Sequence, residues 1–240
     1  METDYTKHAT TQEITQRFDN DVERFSNLDT GQLSTIDAPL SMELCTSAAQ
    51  YLNADATELL DIGCGAGNYT LKMLEKISNL NCTMNDLSSA MLKKAKERVS
   101  AQTSGQVKLI ESDMRQLQLE DNRYDIILAA AVFHHLRENA DWEHVFRKMY
   151  AALKPGGSIW ISDLIAHDSP AINSVFQDKY GAYLESIGGK AYRDKVFDYI
   201  AYEDTPRSLT YQIDLLKKTG FKVVEVLHKN LCFAAFGAIK

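Results

Sequence analysis

From Glu58 onward, short apolar runs alternate with longer segments in which apolar residues recur at helical spacing. The runs are Glu58–Ile62, Asn81–Asn85, Val107–Glu111, Tyr124–Ala129 and Ser158–Leu164. Between them lie Tyr69–Ile77, Ser88–Val99 and Trp142–Leu153, each long enough for a helix. Continuous apolar runs joined by helices predict parallel strands covered on both faces, because right-handed crossovers lay the helices on the sheet. Ser88 is placed to cap the second helix, and Lys154-Pro155-Gly156-Gly157 to end the third and turn the chain into a strand.

After Leu164 the rhythm breaks. Residues 166–204 are rich in tyrosine, and Gly181 and Gly188-Gly189 are expected to divide them into short helices. Thr205–Lys218 then reads as a helix ended by Gly220. Phe221–Leu227 and Leu231–Ile239 follow as an antiparallel hairpin turning at His228-Lys229-Asn230. Ahead of the first strand stand a polar helical segment and an amphipathic helix near Pro39–Leu52. No repeat or linker divides the chain. The expected plan is one domain over residues 1–240, with an N-terminal helical cap at 1–57 and a helical insertion at 166–204 serving as a substrate lid.

At 240 residues the chain can bury a core without a staple. Its 45% hydrophobic and 25% charged content is that of a globular domain, which argues against disorder and low-complexity repeats. A net charge of −7 gives no overall attraction to nucleic acid or an anionic membrane. Cys45, Cys64, Cys82 and Cys232 are scattered without zinc spacing, which predicts a reduced, cytoplasmic protein. No apolar leader stands in residues 1–30, and no run has the length of a membrane helix.

The most informative stretch is Leu59–Asn68, a strand entering G-x-G-x-G before a helix. Glycines permit positive φ and clear Cβ atoms from the path of a ligand, and open α/β sheets bind ligands at this end of their strands. Asp86 closes the second strand, 19 residues after Gly67, where a carboxylate can accept both ribose hydroxyls. Asp113 follows the third strand and can accept from an exocyclic amine, while Met114 and Leu87 cover the adenine faces. A tight turn and capping acids would explain each feature singly, but not their coincidence at three successive strand ends.

The segments LLDIGCGAGNYT, NDLSSAMLKKAKERV, ESDMRQL, YDIILAAAVFHHL and LKPGGSIWISD resemble class I S-adenosylmethionine-dependent methyltransferases over about residues 57–165. The final helix and hairpin extend the resemblance to the end of the chain. It implies an α/β fold: a seven-stranded, mostly parallel, doubly wound sheet with an antiparallel C-terminal hairpin and helical additions. It implies S-adenosyl-L-methionine as cofactor and S-adenosyl-L-homocysteine as product. Gly63, Cys64, Gly65 and Gly67 would then lie along the methionine part, with Asp61 near its amino group. Asp86 would take the ribose, and Ser112, Asp113 and Met114 the adenine, with Leu87 and Met91 in the same set. Backbone at Ala129 and Ala130 would flank the methionine part, and Arg24 would pair with the cofactor carboxylate. A nicotinamide site is the nearest competitor, but its third glycine comes one residue later and serves a pyrophosphate.

Methyl transfer from a sulfonium is an in-line displacement in which a catalytic base is optional. His134 and His135 follow the fourth strand on the substrate-facing loop and are the candidate catalytic pair, with loop packing their plainer role. No metal is expected, since adjacent side chains rarely converge and Glu138 and His144 lack a ligand pattern. Tyr180, Tyr183, Tyr192, Tyr199 and Tyr202 with Phe176 and Phe197 suit a lid over a small or aromatic substrate, and Arg193 and Arg207 a substrate carboxylate.

The chain is also similar to carboxy-S-adenosylmethionine synthases in its N-terminal segment and its FAAFGAIK ending. It departs from them in GCGAG for GCSLG, in Asp37 where they carry a tyrosine, and in lacking a matched carboxylate-binding arginine. The expected function is O- or N-methylation of a small-molecule acceptor. Cofactor modification and non-catalytic cofactor binding are the alternatives. Neither nucleic acid nor membrane is an expected partner, and a homodimer is compatible with the sequence. Ala130-Ala131-Val132-Phe133 stands where base-methylating enzymes carry an Asn-Pro-Pro-Tyr motif.

Overall fold

The computed structural model describes residues 8–27 and 31–240. Seven strands form one sheet in the order β3-β2-β1-β4-β5-β7-β6. They are β1 (Glu58–Ile62), β2 (Asn81–Asp86), β3 (Val107–Glu111), β4 (Tyr124–Ala130), β5 (Leu153–Leu164), β6 (Val223–Asn230) and β7 (Phe233–Ile239). β1 to β5 run parallel, while β7 is antiparallel to both β5 and β6. The expected α/β sheet with its reversed C-terminal hairpin is therefore present. β1 and β4 lie side by side although two strands separate them in sequence, so the order of strands reverses there and leaves a crevice at their carboxyl ends.

Helices cover both faces. α1 (Thr11–Asn20), α2 (Val22–Ser26) and α3 (Ala38–Leu52) precede the sheet, and α4 (Asn68–Leu74), α5 (Ser89–Ser100) and α6 (Asn139–Ala152) connect its strands. α7 (Pro170–Glu203) and α8 (Leu209–Thr219) follow β5. One core cluster packs α6 and α8 against the sheet through Trp142, Phe146, Leu216 and Phe236. Another packs α3, α4 and α5 on the opposite face through Cys45, Met73, Ala95 and Met84. A third lies under α7, where Tyr180, Leu184 and Val196 meet Leu164 and Phe233. Asp125, which is held by Lys154, also accepts from the backbone of Thr57 and Glu58 and so ties the entry of β1 to β4.

The caps follow from local chemistry. Thr10 and Glu13 form a reciprocal capping box on α1, Ser88 accepts from the Met91 N–H at the start of α5, and Gly220 closes α8 with φ 120°.

Several boundaries differ from the sequence reading, among them the helix expected over Thr205–Lys218, which begins at Leu209. Lys154–Gly157 belong to β5 as an irregular stretch, because Tyr124 pairs with Leu153 and Ile126 with Ser158. The hairpin turns at Leu231-Cys232, so His228–Asn230 remain in β6, where His228 and Asn230 bind Asp37. The insertion is one helix broken only at Gly189, where φ is 76°. Gly181 does not interrupt it, because a Cβ there would sit 3.3 Å from the Phe197 ring; the glycine lets the two halves of α7 approach.

Candidate active site

A cavity opens at the carboxyl ends of β1 to β5. It is roofed by α1, α2, the start of α3, and Tyr180, Tyr199 and Ile200 of α7. The glycine turn forms one wall, and its glycines differ in what surrounds them. A Cβ on Gly63 would stand 2.3 Å from Val132 Cγ2, and one on Gly67 3.2–3.3 Å from Val99 and Ala95. A Cβ on Gly65 would meet nothing within 4 Å. Gly63 and Gly67 thus serve packing, and Gly65 leaves space on the cavity side. Arg98 holds the turn by donating to Ala66 O at 2.6 Å and Asn68 Oδ1 at 2.8 Å.

Asp86 accepts from the Gly65 N–H and the Ser88 N–H, each at 2.9 Å. Burial pushes its carboxyl up, against the pull of those donors. Asp61 lies deeper and accepts from Thr70 Oγ1 at 2.6 Å; burial pushes it up to about 7. Asn85 donates to the carbonyls of Ile110 and Ser112 and so sets the exit of β3. Burial would raise Asp113, but Arg115, donating from Nε and Nη2, outweighs it and holds the carboxyl below its usual range. Cys64 is buried, and burial, with Asp86 and Asp61 adding to it, pushes its thiol well up, which leaves it a packing residue.

The other end of the cavity is built by residues far apart in sequence. His134 Nδ1 contacts Asp163 Oδ1, and Asp163 Oδ2 accepts from the Phe133 N–H at 2.8 Å. His135 Nδ1 lies 3.1 Å and His134 Nε2 3.7 Å from Asp204 Oδ1, at the end of α7. Burial alone would lower His134, but the Asp163 and Asp204 carboxylates outweigh it and push the imidazole up to about 9. The adjacent histidines do converge, with ring centroids 4.3 Å apart, contrary to the expectation that neighbouring side chains diverge. Arg17 of α1 binds Glu203 at 2.6 Å and stacks near Tyr199, joining the two halves of the roof.

Asp61, Gly63, Cys64, Gly65, Asp86, Leu87, Met91, Ser112, Asp113, Met114, Ala130, Arg24, His134 and His135 all line this cavity. Gly67 and Ala129 stand behind its lining, Gly67 against α5 and Ala129 paired with Ile62 in the sheet. Arg24 is turned to Asp21 at 2.6 Å on its own side of the roof. Of the lid aromatics, Tyr180 and Tyr199 reach the cavity, while Tyr202 bonds Glu13 and Phe176 stacks on His167. Arg193 pairs with Glu185 and Asp194, and Arg207 donates to the Arg137 carbonyl, so neither is aimed at a substrate.

Sequence reasoning overlooked Asp163, Asp204, Arg17, Arg115 and Arg137, which also line the cavity. Asp163 carried a signal, since it ends an apolar strand as Asp86 does. Asp204 carried none, because only the course of α7 brings it to the histidines.

Residues 59–157 match a family model described as a methyltransferase domain. The chain is 27% identical over 175 residues to demethylmenaquinone methyltransferase of Listeria monocytogenes serotype 4a (strain HCC23), covering 71% of this chain and 72% of that protein. It is 26% identical over 191 residues to carboxy-S-adenosyl-L-methionine synthase of Nautilia profundicola, covering 78% and 79%. The fold superposes on N-methyltransferase NodS from Bradyrhizobium japonicum, solved with S-adenosyl-L-homocysteine, with a TM-score of 0.62 at 15% identity, over 94% of this chain and 97% of that one. Among the described residues no helix is long and apolar enough to cross a membrane.

Proposed function

We propose that this class I S-adenosylmethionine-dependent methyltransferase methylates an oxygen or nitrogen of a small molecule bound under α1, α2 and α7. One observation carries the reading. The cavity runs without interruption from the glycine turn and Asp86 to His134, His135, Tyr180 and Tyr199. It therefore has a cofactor end and an acceptor end beneath one roof.

When bound, the cofactor supplies a methyl group already activated on a sulfonium. The chain's own residues then have to hold, orient and exclude water. Asp86 is placed to accept from ribose hydroxyls, and Gly65 leaves the turn open to the methionine part. Asp61 would hold the amino group, and Arg24, now paired with Asp21, would hold the carboxylate. Ser112, Asp113, Met114, Leu87 and Met91, which line the cavity, would enclose the adenine, and Ala130 would flank the methionine part. Tyr180 and Tyr199 close over the acceptor, which then lies beside His135 and Asp204. The scattered free cysteines, three of them buried, suit the cytoplasm.

The test is calorimetry with S-adenosyl-L-methionine and S-adenosyl-L-homocysteine, followed by transfer of labelled methyl in a cell extract. Micromolar binding and label in the small-molecule fraction are expected. A folded protein that binds neither compound, or label confined to acid-insoluble protein and nucleic acid, overturns the proposal. A second reading, modification of the cofactor itself, is favoured by Arg137, whose buried Nη1 has no hydrogen-bond partner while the residue lines the cavity and could receive an added carboxylate. Mass spectrometry of ligand co-purified with the protein separates the two readings by the mass of that carboxylate.

A further inference from the structure

His134, His135 and Asp204 bring two imidazoles and a carboxylate to one point at the acceptor end of the cavity. One ligating atom from each lies within 4.8 Å of the others. Asp204 is only 8% exposed. His135 Nδ1 and Asp204 Oδ1 face one another at 3.1 Å, and neither buried atom has any hydrogen-bond partner besides the other. Buried polar atoms that have only each other leave hydrogen-bonding and ligating capacity for a third party. The remaining imidazole is already oriented. Asp163 holds His134 through Nδ1, which presents Nε2 toward Asp204. A carboxylate bound to the far nitrogen of a histidine is the usual support of a metal-ligating imidazole.

The spacing fits an ion. Bonds of about 2.0–2.1 Å in tetrahedral geometry place ligand atoms roughly 3.3 Å apart. The two separations from Asp204, 3.1 and 3.7 Å, lie on either side of that value, and the two imidazole nitrogens lie within 4.8 Å of each other. Two nitrogens and one oxygen suit a transition metal and not calcium or magnesium, which take oxygen ligands. Of the arginines that face Asp204, Arg17 is committed to Glu203, while Arg137 donates from Nη2 to the Ala9 carbonyl.

We propose that His134 Nε2, His135 Nδ1 and Asp204 Oδ1 bind one divalent transition cation, Zn²⁺ foremost, with a further coordination position open to the cavity. Three protein ligands with an open position is the pattern of a reactive rather than a structural zinc. An acceptor hydroxyl bound there would lose its proton more readily, as metal-bound water does. Metal binding is measured without cofactor or acceptor, so its failure and the failure of the methyl-transfer reading are separate results.

The experiment uses full-length protein stripped with chelator and titrated with Zn²⁺ by calorimetry and with Co²⁺ by absorption. One ion per chain at micromolar affinity or tighter is expected, with the visible bands of low-coordinate Co²⁺. His135→Gln and Asp204→Asn should each weaken binding at least tenfold. His228→Gln, on a histidine outside the cavity and bound to Asp37, should leave it unchanged. Circular dichroism confirms that each variant is folded. If Asp204→Asn does not fold, His135→Gln decides, because its Nδ1 has no partner besides Asp204. No binding tighter than millimolar, affinity retained in His135→Gln, or affinity lost in His228→Gln would each overturn the site.

Discussion

Two glycines of the same turn, two residues apart, should fail in different ways when given a methyl group. Gly63 and Gly65 have φ of 62° and 50°, so alanine at either carries the cost of the left-handed region, about 1–2 kcal/mol. At Gly63 the new Cβ would also lie 2.3 Å from Val132 Cγ2 and 2.7 Å from its Cβ. Val132 is 8% exposed and sits in the main core cluster, so it has little room to withdraw. Overpacking of that kind adds about 1–3 kcal/mol. Gly63→Ala should therefore lose about 2–5 kcal/mol of stability, and Gly65→Ala only about 1–2 kcal/mol, since its Cβ meets nothing within 4 Å. Under the proposed function the order reverses for ligand binding at Gly65, because its Cβ would enter the cavity space assigned to the cofactor. Urea unfolding of both variants, with calorimetry of S-adenosyl-L-homocysteine, reads both quantities. Gly65→Ala should unfold close to wild type and bind at least tenfold more weakly. Adding Val132→Ala to Gly63→Ala should restore part of the stability, leaving the backbone strain in place. Wild-type affinity in folded Gly65→Ala would refute the assignment of this turn to the cofactor. Equal destabilisation by both alanines would refute the steric argument.

Asp86→Ala should weaken S-adenosyl-L-homocysteine binding by about 1–3 kcal/mol through lost hydrogen bonds; an unchanged affinity removes Asp86 from the site. Asp61 is raised to about 7 in the folded chain, so the native state binds the extra proton between its unfolded value and that pH. Stability attributable to Asp61 should accordingly fall as pH rises from about 4 to 7, and Asp61→Asn should flatten that slope in urea titrations. If the cofactor ammonium approaches Asp61, its binding releases a proton near pH 6.5, which calorimetry in two buffers of different ionisation enthalpy detects. Absence of proton release separates Asp61 from the amino group. Glu203→Gln breaks the pair with Arg17, whose side chain is 27% exposed, and should cost about 1–2 kcal/mol while exposing α1 to trypsin earlier. An unaltered melting point and cleavage pattern would show that α1 is held by its other contacts.

The strands were legible because periodicity and apolar content are local properties. Glu58–Ile62 and Val107–Glu111 coincide with β1 and β3, and the hairpin order follows from reading the last two apolar runs together. Ser88 and Gly220 were legible as caps for the same reason, since each satisfies backbone groups a few residues away. The insertion was not, because a glycine in a sequence signals equally a break and a close approach. Gly189 is a break with positive φ, and Gly181 is a contact with Phe197.

By itself, the sequence determined the sheet, the glycine turn and the acids at the ends of β2 and β3, all of which arise from short-range pattern. It located Gly63, Gly65 and Gly67 as one feature, and the tertiary structure divided them by what stands opposite each Cβ: Val132, open cavity, and the Ala95–Val99 face of α5. It placed His134 beside His135 but could not supply Asp163, 29 residues on, or Asp204 at the far end of α7. Those carboxylates reach the histidines only through the pairing of β5 with β4 and the return of α7 across the cavity. Charge, orientation and burial at the acceptor end belong to that long-range packing, and with them the chemistry this site performs.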